Sequence, residues 1–493
     1  MFILVLVLAI VLLHWIFKTR REPGEPPILP GSLPLIGHGY MLLGDTVYFW
    51  QKFKEISYTC LQNGHALYFL IGTQKFYVLT DPEDICLVSN VCVAKDTVVG
   101  ALIRSLLGSG LVFADVPTWK KHRKLIMPSF NQQILDGFIP IFNNQAKRLM
   151  KKLESEEDDK CFDPTPYVNQ IILESICLTT MDVKLEEADS VKFLEAYDQA
   201  ISNGIATYCK FWLRCDLLYN MTDMKIKQEN CIRIVHETSD LVLQKKRMKN
   251  KRNRAKINSV DNNIEADIKK DTAKCFADLL LESNVLTEQE LRHEVNGMII
   301  AGSDTTSTVL VFALLLIGSY PEVQEKIYSE LTEVFEGSNR DVQKQDLSRL
   351  EYLEAAIKET LRYYVMAPFV IRHIDKEIKL KSCTLKPGNN CFFSLYGVHR
   401  HPMWGDDVEE FKPQRWLDSP SRLPANANAF MAFSVGKRNC IGRAYAMMTM
   451  KILLSHIFRQ YRVLADHSNM KVKLNVIIKP CSGHLISLEK RNM

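Results

Sequence analysis

The stretch Phe433-Ser434-Val435-Gly436-Lys437-Arg438-Asn439-Cys440-Ile441-Gly442 decides how the rest of this 493-residue chain is interpreted. A run of helix-forming composition follows at once, from Arg443 to Arg459, so the sequence predicts a loop that delivers one cysteine to a helix N-terminus. The free N–H groups and the positive end of the helix dipole favour a thiolate at this place. We therefore interpret Cys440 as a candidate metal ligand.

The other fixed positions of this stretch suit a flat, charged ligand. Gly436 and Gly442 remove side chains where the backbone would lie close to it. Phe433 can pack beside the sulfur, and Arg438 offers a guanidinium to a carboxylate. A single thiolate suits a haem iron, where it favours O–O cleavage. The alternative is that Cys440 is a small buried apolar residue.

The composition is that of an ordinary globular protein, with 47% apolar and 24% charged residues. The net charge of +5 is too small to suggest nucleic acid as a partner. The 13 cysteines are scattered and include no C-x-x-C pair. This pattern argues against a disulfide scaffold and a zinc site, and it favours a reducing compartment.

The N-terminus carries an almost wholly apolar run, Phe2 to Phe17, which is followed by Lys18, Arg20 and Arg21. As a helix this run would rise about 24 Å, slightly less than the hydrocarbon core of a bilayer. A cleaved signal peptide would carry its basic residues before the run. We expect an uncleaved anchor over residues 1–21, with the remainder of the chain on the cytosolic side.

Residues 22–37 contain five prolines and three glycines and cannot form a helix. We interpret this segment as a stiff hinge between the anchor and a catalytic domain, residues 38–493. Within that domain the patterns predict a helix over Asp45–Cys60, two strands within Ala66–Thr80, a helix opening at Asp81, and a C-terminal hairpin within Val472–Leu488 that turns at Lys479–Gly483. The basic stretch Lys245–Lys256 and the polar stretch Asn258–Lys270 are expected to form a solvated loop.

Trp119 and Arg123 lie four residues apart and share one face of a helix that Pro117 helps to start. An indole N–H beside a guanidinium suits a carboxylate, although such a pair also occurs on ordinary surfaces. Three lysines, Lys120, Lys121 and Lys124, fall on other faces of the same helix. They are either simply solvated or meet an acidic partner.

Thr287-Glu288-Gln289-Glu290 is a capping box and predicts the start of a long helix that ends near Gly318. Its middle carries Ala301-Gly302-Ser303-Asp304-Thr305-Thr306, which combines glycine, an acid and hydroxyls, all poor helix formers. Such a run indicates a functional segment. The alternative is that Thr305 only bonds back to a carbonyl one turn earlier.

Glu359 and Arg362 lie three residues apart on another predicted helix, a spacing that favours an ion pair. An exposed pair of this kind would contribute almost nothing to stability. Arg415 follows in Phe411-Lys412-Pro413-Gln414-Arg415-Trp416, and Arg372 ends the apolar segment Ala367–Arg372.

Together these motifs resemble, in order, those of the cytochrome P450 monooxygenases. The matching patterns are W-x-x-x-R, A/G-G-x-D/E-T-T, E-x-x-R and F-x-x-G-x-R-x-C-x-G, with the arginine-bearing loop before the last. Trp416 departs from the phenylalanine that usually ends that loop. The resemblance covers the whole chain and implies a mainly α fold with a small β region, preceded by one N-terminal transmembrane helix.

The resemblance also implies the roles of the site residues. The cofactor would be noncovalent haem b with Cys440 as axial ligand, flanked by Phe433, Gly436 and Gly442. The expected propionate ligands are Trp119, Arg123, Arg372 and Arg438. Ala301 and Gly302 would lie over the iron, with Gly302 leaving room for dioxygen, while Thr305 would hydrogen-bond to the oxygen and Asp304 would relay protons. Glu359, Arg362 and Arg415 would form a structural triad.

Within the family the chain is similar to the clan of fatty-acid ω-hydroxylases and insect detoxification enzymes. Many of those hydroxylases carry a glutamate, which can be esterified to haem, where this chain has Ala301, so a fatty acid is less favoured as the substrate. The implied partners are a lipophilic small molecule, membrane lipid, NADPH–cytochrome P450 reductase and a cytochrome b-type donor, at the endoplasmic reticulum membrane. A reductase-independent haem isomerase or peroxygenase and a non-catalytic haem- or ligand-binding protein remain as alternatives.

Overall fold

The computed structural model describes residues 11–16, 18–95, 104–156, 160–214, 216–257, 274–283, 285–417, 426 and 428–491. Helices dominate, and the strands form one larger and several small sheets, which confirms the predicted fold class. The helices are α1 (Thr46–Gln62), α2 (Pro82–Val91), α3 (Val116–Ile126), α4 (Gln132–Asp136), α5 (Ile139–Leu153), α6 (Thr165–Thr180), α7 (Glu187–Cys209), α8 (Asp216–Asn220), α9 (Asp223–Ile257), α10 (Phe276–Ser283), α11 (Glu288–Ser319), α12 (Pro321–Phe335), α13 (Lys344–Arg349), α14 (Glu351–Tyr363), α15 (Leu395–Val398) and α16 (Arg443–Gln460).

The strands are β1 (Ala66–Ile71), β2 (Gln74–Leu79), β3 (Phe369–Ile374), β4 (Ile378–Lys379), β5 (Thr384–Leu385), β6 (Asn389–Ser394), β7 (Tyr461–Ala465), β8 (Lys471–Leu474), β9 (Ile478–Ser482) and β10 (Ile486–Lys490). The four-stranded sheet has the order β1-β2-β6-β3. Its β2–β6 pair is parallel and its other two pairs are antiparallel. The remaining pairs, β7–β10, β4–β5 and β8–β9, are antiparallel.

Local capping signals place the helix starts where the sequence predicts them. Asp81 accepts hydrogen bonds from the N–H groups of Glu83 and Asp84, and Pro82 occupies the first turn of α2. Thr287 and Glu290 form the reciprocal bonds of a capping box at the start of α11. These predictions are confirmed because each depends only on residues within one turn.

Helix α11 crosses the core and packs against α6, α9, α14 and β7. Among the described residues it is the one helix long and apolar enough to span a membrane, but 78% of its most apolar window is buried inside the protein. It is therefore a core helix. Residues 11–16 and 18–19 are helical, whereas most of the predicted anchor lies outside the described residues and stays a prediction.

The proline-rich segment 22–37 is fastened to the edge of the four-stranded sheet. Ile28 bridges Tyr68 of β1, and Gly37 bridges Ile71. The carboxylate of Glu25, fully buried, lies 2.7 Å from the Lys75 ammonium. The segment is thus docked on the catalytic body rather than free, and the predicted domain boundaries stay a prediction.

Two expectations about secondary structure are wrong. The basic stretch Lys245–Lys256 lies within α9 and is helical rather than a loop; Asn258–Lys270 lies outside the described residues. The C-terminal hairpin turns between β8 and β9, at residues 475–477, and Lys479 lies within strand β9. The glycine signal at Gly483 instead marks the connection from β9 to β10.

Candidate active site

The loop of residues 433–442, here called the Cys loop, is folded by its own backbone bonds. The Cys440 N–H donates to the Phe433 carbonyl at 2.9 Å, and the Ser434 N–H donates to the Met431 carbonyl at 2.8 Å. Gly436 has a φ of +75°, which an L side chain rarely adopts. Helix α16 begins directly after Gly442, as the sequence predicts.

The side chain of Cys440 is exposed to solvent, although protein atoms surround the sulfur on most sides. Burial raises the pKa of this thiol, while the Gly442 N–H and the charges of Arg123 and Arg443 act to lower it. The thiolate-favouring groups that the sequence predicts are therefore present around the sulfur, and burial opposes them. A metal cation at the sulfur would reverse that balance by deprotonating it.

Helix α3 holds the Cys loop through Arg123. Its Nη1 donates to the backbone carbonyl of Asn439 at 2.9 Å, and its Nη2 donates to the Asn439 side-chain oxygen at 2.8 Å. Trp119 instead packs under the guanidinium of Arg438, which lies 4.7 Å from the indole ring centre. Two of the three guanidinium nitrogens of Arg123 thus have partners in the Cys loop, and the joint carboxylate grip of Trp119 and Arg123 stays a prediction.

Arg372 on β3, Arg438 in the Cys loop and Lys95 after α2 form what we call the cation cluster. Burial lowers the pKa of Arg372 and of Arg438 to about 10, and the charge of Arg372 adds to the effect on Arg438. Burial, and then these two arginines, hold the pKa of Lys95 well below its usual value. Lys95 carries no sequence motif, and only the fold brings it to this place.

The cation cluster has hydrogen-bond donors to spare. Within the described part of the chain, Nε of Arg372 and both Nε and Nη1 of Arg438 are buried without a partner. Buried charged donors of this kind are costly unless an anion satisfies them. The cluster therefore fits a ligand that brings carboxylates to a place beside the Cys loop.

Two of the predicted glycines are required by the packing of the chain itself. A Cβ at Gly302 would lie 2.6 Å from Cδ1 of Ile176, so this glycine lets α11 approach α6, and its place beside dioxygen stays a prediction. A Cβ at Gly436 would lie 2.2 Å from Oγ of Ser89, so this glycine serves the packing of the Cys loop on α2. At Gly442 a Cβ would meet no described atom closer than 4.0 Å.

The middle of α11 presents Ala301 and Thr305 on one open face, one turn apart. The Thr305 hydroxyl donates to the Ala301 carbonyl at 2.8 Å, which is the backbone bond that the sequence left as an alternative. Asp304 faces another way. Its carboxylate accepts a hydrogen bond from the Tyr197 hydroxyl at 2.8 Å and lies 2.7 Å from the Lys479 ammonium.

The structure brings Glu359, Arg362 and Arg415 together. The carboxylate of Glu359 lies 2.8 Å from Arg362 and 2.9 Å from Arg415, and all three side chains are buried. Its pKa is lowered because the two arginines outweigh the effect of burial. Trp416 also donates its indole N–H to Glu359 at 2.9 Å, so the departure from the usual phenylalanine adds a partner.

This triad supports the Cys loop through one histidine. Arg362 donates to the backbone carbonyl of His399, and Nε2 of His399 accepts a hydrogen bond from the Met431 N–H at 2.9 Å. Met431 in turn precedes the Cys loop and accepts the bond from Ser434. No sequence motif marks His399.

A cavity of about 460 Å³ extends from the cation cluster to the four-stranded sheet. Its wall is mostly apolar and includes several phenylalanines, and Leu474 of β8 and the following turn, residues 475–477, form one side. A second cavity of about 420 Å³ adjoins it and shares Leu42, Phe49, Ile205 and Asn475. The lining of the larger cavity includes Lys95 and Arg372 but not Cys440 or Thr305.

The fold and this site define a haem-thiolate enzyme. The family model for cytochrome P450 matches residues 26–485, so the chain belongs to the cytochrome P450 family, whose members are monooxygenases with haem b on a cysteine thiolate. It is 30% identical over 488 residues to cytochrome P450 4V2 of Homo sapiens, covering 94% of this chain and 90% of that protein.

Insect relatives are equally similar. Cytochrome P450 4c21 of Blattella germanica is 29% identical over 491 residues, covering 96% of this chain and 94% of that protein. Probable cytochrome P450 313b1 of Drosophila melanogaster is 30% identical over 499 residues, covering 97% of each. These relatives agree with the predicted clan.

Proposed function

We propose that Cys440 binds the haem iron and that the chain hydroxylates or otherwise oxygenates a lipophilic small molecule. The observation that carries this proposal is the cation cluster beside the Cys loop, with unpaired buried donors on Arg372 and Arg438. Haem supplies oxygen activation when bound: one atom of O2 enters the substrate, and the other leaves as water with two electrons and two protons.

The chain's own residues hold the cofactor. Arg372, Arg438 and Lys95 are charged partners for the two propionates, and Trp119 orients Arg438 by packing under its guanidinium. Arg123 fixes the Cys loop through Asn439. Ala301 has no carboxylate to form an ester, so acid–organic extraction should release all of the haem from the polypeptide.

The apolar lining of the larger cavity supports a lipophilic substrate, because an apolar wall with few polar groups selects by shape and burial. The substrate classes that such a wall suits are a xenobiotic, a fatty acid and a hormone- or pheromone-like compound.

Electrons come from NADPH through a membrane-bound flavoprotein reductase, with a cytochrome b-type protein as a further donor. Five exposed cations support a docking face: Lys120, Lys121, Lys124, Lys437 and Arg443. Helix α3 carries the three lysines and is tied through Arg123 to the Cys loop, which contains Lys437 and precedes Arg443; this contact supports a shared docking face. The apolar N-terminal run supports an endoplasmic reticulum anchor with the catalytic domain in the cytosol.

Thr305 and Asp304 deliver the protons. Thr305 has a hydroxyl that both donates and accepts on the open face of α11, and Asp304 is the adjacent acid. We expect Thr305→Ala to keep haem binding but to divert NADPH electrons from product to released hydrogen peroxide. Losing a proton donor lowers the proton-dependent step by roughly 10²–10⁴-fold.

Thr308→Ala is the matched control, because the Thr308 hydroxyl makes the same backbone bond one turn later, to the Asp304 carbonyl at 2.7 Å. Product and peroxide are measured in membranes with reductase, after metabolite profiling has supplied a substrate. Equal yields from the Thr305 and Thr308 variants would reject the role of Thr305. Turnover without NADPH would favour the isomerase or peroxygenase alternative, and no turnover would favour a binding protein.

A further inference from the structure

Asp304 is held by two elements other than its own helix. Tyr197 of α7 donates its hydroxyl to Oδ2 at 2.8 Å, and Lys479 of strand β9 places its ammonium 2.7 Å from Oδ1. The Lys479 ammonium also lies 5.4 Å from the centre of the Tyr197 ring. Both carboxylate oxygens are thus engaged on the side of α7 and the C-terminal hairpin.

Asp304, Lys479 and Asp198 form a row of alternating charges that runs from the interior to the surface. Asp304 and Lys479 have side chains that are 12% and 15% exposed, whereas Asp198, 3.6 Å from Lys479, is 53% exposed. Burial acts to lower the pKa of Lys479, but Asp304 and Asp198 outweigh it and raise this pKa. Burial and then Asp304 raise the pKa of Tyr197 well above its usual value. Lys479 is therefore an ammonium and Tyr197 a hydrogen-bond donor.

The same two elements form walls of the cavities. Leu474 at the end of β8 and residues 475–477, which connect β8 to β9, line the larger cavity, and Ile205 of α7 lines both cavities. The hairpin is also fixed at the start of β9, where the Ile478 N–H donates to the Met366 carbonyl at 2.9 Å. Lys479 follows directly after Ile478. Its ion pair with Asp304 therefore links the strand beside the cavity wall to helix α11.

We infer that Lys479 is a positioning residue for Asp304: together with Tyr197 it holds the carboxylate toward α7 and the hairpin. The Thr305 hydroxyl meanwhile remains bonded to the Ala301 carbonyl. Any displacement of the hairpin from α11 stretches the contact between Lys479 and Asp304 and frees the carboxylate. This role rests on the proposed function, in which Asp304 and Thr305 deliver protons.

Amide hydrogen exchange tests the contact without turnover. In the full-length holoprotein, Lys479→Met should speed exchange in residues 475–482 by about tenfold or more, since breaking a largely buried ion pair is strongly destabilising. Asp304→Asn should speed exchange in the same residues, and the double variant should add little, as expected for two residues that share one interaction. Lys471→Met, an exposed lysine of the same hairpin, is the control and should leave exchange unchanged.

A second readout separates positioning from simple support of the hairpin. With reductase and no substrate, NADPH and a proton reduce O2 to hydrogen peroxide, and the peroxide formed per NADPH is measured. We expect a fall of about fivefold in Lys479→Met, because the freed carboxylate can relay solvent protons, which with a second NADPH favours reduction of O2 to water over release of peroxide; this is the lower range of coupling between sites. Lys479→Arg should restore the wild-type value. Tyr197→Phe, which removes one hydrogen bond only, should give a smaller fall.

Unchanged exchange in Lys479→Met, or additive effects with Asp304→Asn, would overturn the inference. The inference would also be overturned if Lys479→Met exchanged faster but gave the same peroxide yield as the control Lys471→Met. Lys479 would then only stabilise the hairpin. The proposed function is tested separately by the ferrous–CO spectrum of the wild-type protein. It fails if the band of thiolate ligation is missing. If Lys479→Met does not fold, Tyr197→Phe decides the question by the same two measurements, with Lys479→Arg as the charge-conserving reference.

Discussion

Arg123 donates hydrogen bonds to both oxygen atoms of Asn439, the residue that precedes Cys440. The contact spans 316 positions of sequence and ties helix α3 to the Cys loop. A planar guanidinium fits two acceptors at once, which a lysine cannot do. The position of the cysteine therefore depends on a residue of another helix.

We expect Arg123→Lys to loosen the Cys loop, because one ammonium cannot replace two directed bonds. The share of reduced protein that gives the thiolate-type CO band should fall, with the remainder absorbing at shorter wavelength. Dithionite is the reductant, so that electron transfer from a protein partner plays no part. Lys124→Ala, on the same helix and exposed, should keep the full band. A thiolate-type CO band of full intensity in Arg123→Lys would show that the Cys loop keeps its conformation without Arg123.

The second prediction concerns Lys95. Its removal should be harmless to the haem-free chain but should weaken haem binding in the holoprotein. In the haem-free chain Lys95→Met relieves repulsion from Arg372 and Arg438 and should not lower stability. In the holoprotein it removes a cation that faces the propionates. Haem transfer to apomyoglobin should become about tenfold faster, as for one charge-assisted hydrogen bond.

Lys52→Met is the control for Lys95, since Lys52 lines the same cavity but is paired with Glu55. Equal transfer rates for Lys95→Met and the wild type would remove Lys95 from the set of propionate partners. The sequence offers no motif for Lys95, so this result also tests the fold-based assignment.

Sequence patterns correctly predicted those parts of the site whose conformation depends only on neighbouring residues. The caps of α2 and α11 and the start of α16 depend on neighbours within one turn, and they are where the patterns predict them. The roles of Gly302 and Gly436 were not predictable in this way. What a missing side chain makes room for depends on distant packing, here Ile176 of α6 and Ser89 of α2.

The partners of Asp304 illustrate the same limit for charges. The motif identified the acid, but Tyr197 lies 107 positions away and Lys479 lies in another element. Neither belongs to a recognisable pattern. Trp416 is a similar case, because its indole N–H bond to Glu359 becomes apparent only when the loop is folded against α14.

The buried pair of Glu25 and Lys75 predicts how stability changes with pH. Burial acts to raise the pKa of Glu25, but Lys75 and Tyr77 outweigh it, so the folded-state pKa lies below the unfolded value of about 4.3. Stability from this group is therefore present above that pH and is lost as pH falls through the folded-state pKa. Glu25→Gln should cost about 3 kcal/mol at neutral pH and progressively less under acid conditions.

Unfolding by denaturant at several pH values measures this difference. Glu22→Gln, at an exposed position of the same segment, is the control and should change stability little at any pH. A cost for Glu25→Gln that stays constant down to strongly acid pH would mean that the ionised carboxylate is not what fastens the segment.

The five exposed cations near the Cys loop predict how electron supply depends on salt. Turnover at limiting reductase should fall as salt rises, because the screening length shrinks to about 8 Å at physiological ionic strength. Neutralising Lys120, Lys121 and Lys124 together to glutamine should raise the reductase concentration for half-maximal rate by roughly three- to tenfold. A triple variant of the exposed lysines Lys184, Lys192 and Lys471 controls for net charge. If both triple variants behave alike, this face is not the docking site.

The ferrous–CO spectrum of the full-length holoprotein tests the central claim most directly, because the position of its band depends on the ligand opposite CO. We predict the long-wavelength band that thiolate ligation gives, its loss in Cys440→Ala and its shift in Cys440→His. Cys161→Ala, which removes another exposed cysteine, should leave the band unchanged. A Cys440→Ala protein that keeps the long-wavelength band would contradict the account, since another cysteine would then bind the iron.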